Sequence, residues 1–215
     1  MAQRTAARAP TRNPFGRFEP ADRAAWRSWL DRNYASSAGV WLVFRRGSAR
    51  QLTYEAAVEE ALCFGWIDSL LNPIDNQRFM QLFTPRREKS GWSRLNKQRV
   101  ARLVADGLMT AAGREKIAAA KRDGSWRALD AVESLKIPPD FKAALEANRI
   151  AKQNYDAITA SAKKRYLFWI NNAKRPDTRA RRIKAALALL AKNVSVPHPP
   201  RSVRQASPTR AARRS

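Results

Sequence analysis

The chain has 215 residues, 44% of them apolar, and a formal charge of +24. That length fits one domain, or one domain with a small helical appendage, and leaves enough apolar material for a buried core. A single cysteine, Cys63, and a single histidine, His198, exclude an intrachain disulfide and zinc sites built from several His or Cys ligands.

Arginine supplies most of the charge, so it persists at any cellular pH. A field of this sign attracts nucleic acid, anionic lipid headgroups or acidic protein surfaces. The alternative is an arginine bias with no specific partner. A Cys–His or Ser–His dyad would have to recruit His198 from a Pro-rich segment. No Asp-rich calcium loop occurs, and no cofactor or metal is expected. No apolar run approaches the roughly 18 residues of a membrane span. MAQRTAARAPTRNPF is basic without a following apolar stretch, so a secretory signal is not expected and the expected location is cytoplasmic.

Residues 1–17 carry four arginines, two prolines and no acid, and are expected to be a disordered basic arm. From Phe18 an α+β domain is expected to run to residue 130. Pro20 and Asp22 suit a helix start, and Trp26, Trp29 and Leu30 follow at helical spacing, the pattern of a packed face rather than an aromatic platform. Val40 to Arg46 is β-branched and aromatic, hence a strand closing on Gly47-Ser48. Thr53 is expected to cap a helix with Ala57, Val58, Ala61 and Leu62 on its apolar stripe and Glu59 and Glu60 off it. Cys63 reads as a buried, inert thiol.

Gly65 stops that helix. Trp66 to Leu71 and Arg78 to Thr84 then read as a hairpin around Asn72-Pro73 and Asp75-Asn76. With the earlier strand this predicts a small antiparallel sheet of at least three members. Ser90 or Ser93 is expected to cap a helix reaching Leu108, with Trp92, Leu95, Val100, Leu103 and Val104 along one side. Asn96 falls on that side and should bond to a neighbouring loop. A short helix over 114–121 and a turn at Asp123-Gly124 lead to Trp126, and residues 130–137 read as a connector.

Pro138-Pro139-Asp140 opens a helical unit over 138–193. Three helices are expected: one through Phe141, Leu145 and Ile150, one through Tyr166, Trp169 and Ile170, and one through Ile183, Leu187 and Leu190. Residues 194–215 are Pro-, Ser- and Arg-rich without acid and are expected to be a second disordered basic tail. The two ends carry nine arginines, which leaves +15 on the intervening residues.

Four blocks, ALCFGWIDS (61–69), FTPRREKSGWSRLNK (83–97), VARLVADGLMTAAG (100–113) and WINNAKRPDTRARRI (169–183), together resemble the YdeI/OmpD-associated, bacteriocin-protection family over roughly Phe18 to Asn193. The resemblance implies a stress or envelope-defence role linked to bacteriocins, cationic antimicrobial peptides and an outer-membrane porin. It brings no catalytic residues to carry over, so a non-catalytic role is favoured over an enzyme.

The residues themselves suggest an anion site. Trp66 and Asp68 share a strand face, Arg86 and Arg87 follow the return strand, and Ser90, Trp92, Ser93 and Asn96 open the next helix. Free N–H groups and positive potential at a helix start, with two arginines beside it, suit an anion. The alternative is a structural ion pair of Asp68 with Arg86 or Arg87. Lys174, Arg175, Arg179 and Arg182 form a second basic set that borders an apolar stripe; they either line a groove or snorkel from the core edge. Three function classes follow: a defence protein binding an anionic ligand or acidic protein, a non-specific nucleic-acid binder using the Arg-rich tails, and an enzyme with Asp68 as base in an arginine-lined pocket.

Overall fold

The computed structural model describes residues 14–47 and 52–193. Most of the two basic tails, His198 and the second residue of the Gly47-Ser48 turn lie outside these. The chain is α+β and divides into two compact units, Met1–Asp130 and Ala131–Ser215. Among the described residues no helix is long and apolar enough to cross a membrane.

The first unit opens with β1 (Arg17–Phe18), α1 (Arg23–Asn33) and β2 (Val40–Arg45). It continues with α2 (Tyr54–Cys63), the hairpin β3 (Trp66–Pro73) and β4 (Arg78–Pro85), α3 (Arg94–Ala105) and α4 (Ala111–Arg122). The sheet order is β1-β2-β4-β3. The hairpin and the β2–β4 pair are antiparallel as expected, but β1 adds a parallel member, pairing Arg17 with Trp41 and Phe18 with Leu42. Two residues are too few to show a period-2 pattern, so the basic composition around them concealed this strand.

One sheet face carries Val40, Leu42, Phe44 and Phe83 into the main core, where Trp26 and Leu30 of α1 and Ala57, Val58, Ala61 and Leu62 of α2 meet them. Trp26 and Trp29 stack at 5.3 Å, Trp26 meets Phe83 edge-on at 5.5 Å, and the Trp26 indole donates to the Ala57 carbonyl at 3.0 Å. The tryptophans of α1 are therefore core. The opposite face buries Trp41, Val43, Met80 and Leu82, which makes β2 apolar on both sides.

Two glycines let α4 approach the end of α2. Gly65 has φ +74 and ends the helix. A Cβ at Gly113 would stand 2.3 Å from the Cys63 carbonyl oxygen, so α4 can lie there only without a side chain at that position. The Thr110 hydroxyl, the N-cap of α4, donates to that same carbonyl at 2.6 Å.

Three expectations on the helices of this unit fail. Glu60 is buried at 3% exposure, because it sits three residues from Ala57 on the inward stripe. Its carboxylate takes Arg23 Nε and Arg27 Nη1, each at 2.6 Å. On α3, Leu95 and Val104 are exposed, and the buried side is Val100 and Leu103. Asn96 is half-buried, and its side-chain oxygen accepts from Arg99 on the same helix rather than from a loop.

α5 (Asp130–Glu133) spans the boundary between the units. The second unit then holds α6 (Pro139–Glu146), α7 (Arg149–Ala157), α8 (Ala160–Asn171) and α9 (Pro176–Ala191). The segment expected as one helix through Phe141 and Ile150 is divided at Ala147–Asn148, where the Asn148 side chain accepts from the Ala151 N–H and caps α7. Phe141, Leu145, Tyr155, Tyr166, Leu167, Ile170, Ala186 and Leu190 form its core. The Asn154 amide donates to the Leu190 carbonyl at 2.7 Å, tying α7 to the end of α9.

Candidate functional site

The hairpin brings part of the expected site together. Trp66 faces Pro85 and Asp68 faces Phe83 across the β3–β4 ladder, and cross-strand partners share a sheet face. Trp66 is buried, and its indole N–H donates to the Tyr34 carbonyl at 3.1 Å. Asp68 Oδ2 accepts from the Tyr54 hydroxyl at 2.7 Å and from the Gln81 amide at 3.3 Å. Burial, reinforced by the bond to Asp68, pushes the Tyr54 hydroxyl well above its ordinary pKa, so it stays a donor.

Arg86 begins the segment after β4, with its backbone N–H bonded to the Gly65 carbonyl at 2.9 Å. The side chain turns inward and is 5% exposed. Nη2 donates to the Gly91 carbonyl at 2.6 Å, and the guanidinium carbon lies 3.7 Å from the centroid of the Trp92 ring. Nε and Nη1 are buried and have no hydrogen-bond partner. No Asp68–Arg86 ion pair within 4 Å occurs among the described residues, although the Asp68 charge acts on Arg86. Burial lowers the Arg86 pKa to about 10, against the opposing pull of Asp68. At neutral pH this is a buried cation with two unmet donors, a costly arrangement unless an acceptor reaches it.

The other expected residues around it divide. Arg87 is exposed, and Ser90 closes a turn through its N–H on the Arg87 carbonyl. Ser93, not Ser90, caps α3, its hydroxyl accepting from the Asn96 N–H at 3.3 Å. Trp92 is buried between Arg86 and Trp126, whose ring centroid lies 5.0 Å away.

The C-terminal basic set belongs to the second unit. Arg179 forks onto Asp140 at 2.6 and 2.9 Å and donates through Nη1 to the Ile170 carbonyl and the Asn171 side chain, each at 3.3 Å. Arg182 donates to the Trp169 carbonyl at 2.6 Å. These two arginines satisfy the last carbonyls of α8 from α9, and Arg179 also ties α6 into the same corner. Arg175 is exposed beside Asp177, and Lys174 is exposed. An apolar groove of about 430 Å³ runs beside Arg179, lined by Ile183, Leu187 and Pro176.

Three contributors were missed in the sequence. Gln81 had a readable signal: it has the same parity as Phe79 and Phe83 in RFMQLFT, so a polar residue falls on the core side. Gly91 also had a signal, as a glycine between the serines, but its close fit against Leu129, 2.8 Å from a would-be Cβ, is a long-range contact. Tyr54 carried none, since only the fold of α2 onto β3 brings its hydroxyl to Asp68.

Comparison with known proteins divides the chain much as the units do. Residues 18–116 match a family model described as Domain of unknown function (DUF8412). No curated protein and no solved structure matches the chain. Residues 134–193, the helical segment, match the family model described as Bacteriocin-protection, YdeI or OmpD-Associated.

Proposed function

We propose that the protein contributes to tolerance of bacteriocins or cationic antimicrobial peptides as a binding protein rather than a catalyst, with Arg86 receiving an anionic group of its ligand or partner. The family of the helical segment supports the general role. The observation that carries the binding site is the buried Arg86 guanidinium with Nε and Nη1 unpartnered. A group of this kind donates to a carboxylate or phosphate oxygen without further desolvation of its own, because its donors are already buried and the ring of Trp92 holds the plane in place. Asp68 is an unpromising base by comparison, since Tyr54 and Gln81 already occupy one of its oxygens.

Gly91 and Trp92 wrap the guanidinium, so a ligand enters only as this segment yields. That restricts the ligand to a compact oxyanion or to the tip of a larger molecule. The role is tested by survival under a cationic antimicrobial peptide. Deletion should lower survival, the wild-type gene should restore it, and Arg86→Met should not. Equal survival of the deletion and parent strains would contradict the defence role. Full rescue by Arg86→Met would contradict the site.

A further inference from the structure

A second surface of the first unit has a built shape and charge of its own. After α4 the chain turns through Asp123 and Gly124 and sets Trp126 by a backbone bond to the Ala120 carbonyl at 2.9 Å. The Trp126 ring packs against Trp92 and is only half-buried. A cavity of about 640 Å³ opens beside it, lined by Lys121, Gly124, Trp126 and Arg127. That size lies within the roughly 300–1,000 Å³ of pockets that hold small ligands.

Two cations lie over the Trp126 ring, and Arg127 lines the cavity beside it. Lys97 and Lys121 hold their ammonium groups 5.4 and 5.5 Å from the Trp126 ring centroid. Lys97 is paired with Asp130. Lys121 and Arg127 are exposed and form no ion pair with a described carboxylate within 4 Å. The one acid in the turn, Asp123, is committed to backbone N–H groups, those of Ser125 at 2.8 Å and Lys89 at 3.2 Å. An indole wall with two unneutralised cations matches a flat ring that carries a phosphate.

We propose that the Trp126 cavity binds nucleotides, the base against Trp126 and the phosphate between Lys121 and Arg127. The shared chemistry of base plus phosphate arises from a free nucleotide or from a single strand, and one set of titrations distinguishes them.

Full-length protein is titrated calorimetrically at about 0.15 M salt, which screens the tails, with adenosine 5′-monophosphate, adenosine, ribose 5-phosphate and a short single-stranded oligonucleotide. The monophosphate should bind, and each of its two halves should bind at least about tenfold more weakly, since each loses one of the two contacts. The double variant Lys121→Gln/Arg127→Gln should lose about tenfold for the monophosphate with an unchanged unfolding midpoint, because both side chains are exposed. A matching loss for the oligonucleotide assigns the site to a strand, and a loss for the monophosphate alone assigns it to free nucleotide. No binding of the monophosphate at millimolar concentration, or equal affinity in the double variant, would overturn the proposal.

Discussion

The guanidinium carbon of Arg86 lies 3.7 Å from the centre of the Trp92 ring, with both side chains buried. This stack holds a cation in the interior while leaving two of its nitrogens without acceptors. In the free protein the stack and the bond to Gly91 offset part of the cost of burying the charge. Arg86→Ala should therefore cost about 2–3 kcal/mol, from the void beneath Trp92 and the lost contacts. Arg86→Met fills the space without a charge and should fall within about 1 kcal/mol of wild type. Urea unfolding of both variants checks the pair; equal, large losses would mean that the charge itself holds the fold.

Gly113 tests how closely α4 lies on the end of α2. In a helix, Gly→Ala ordinarily stabilises by about 1 kcal/mol. Here the new methyl meets the Cys63 carbonyl oxygen at 2.3 Å and Met109 Cε at 2.6 Å, and the first of these is backbone. Gly113→Ala should reverse the sign and destabilise by about 2 kcal/mol, read as a lowered thermal midpoint.

Glu60 joins α1 to α2. Its carboxylate is almost fully buried, while the Arg23 and Arg27 side chains remain 43% and 38% exposed. Glu60→Gln leaves Arg27 without its charged acceptor and Arg23 with Glu59 alone, but water still reaches both. A loss of about 2 kcal/mol is expected, below that of a fully buried pair. Salt should weaken the wild type more than the variant, which a denaturation series in sodium chloride measures.

Asp140 gives the second unit an acid dependence. The bonds from Arg179 hold its carboxyl below the usual carboxylate range. A folded pKa below the unfolded one contributes stability above about pH 4, and that contribution is lost as pH falls through the folded value. Asp140→Asn should cost at most about 1 kcal/mol at pH 7, since the pair is partly exposed, and the two proteins should approach each other as pH falls from about 4 and converge below the folded value. Unfolding curves across pH 2–7 test this.

Where residue type and spacing carry a local rule, the fold was legible. Thr53 and Ser93 cap their helices, Gly65 ends α2, and the alternation of Arg78 to Thr84 makes a strand. Glu60 was misread because charge was weighed above position, although three residues from Ala57 is an inward place. Leu95 and Val104 were misread the other way, as apolar residues that the fold leaves in water. In the candidate site the chain showed Asp68, Arg86 and Trp92 as neighbours but not their pairing. Tyr54 takes Asp68, and Arg86 turns to Gly91 and Trp92, choices made by the packing of α2 and the segment before α3. The arginines of 175–182 looked like one basic group. The turn into α9 instead spends Arg179 and Arg182 on the end of α8.

The most direct test of an anion at Arg86 is thermal unfolding of the full chain against acetate and inorganic phosphate at constant ionic strength. A ligand that binds only the folded state adds about 2.7 kcal/mol at one hundred times its dissociation constant. The wild-type midpoint should rise with the concentration of at least one of the two anions, and that of Arg86→Met should rise less. Equal rises in both proteins, or no rise in the wild type, would contradict an anion site at Arg86.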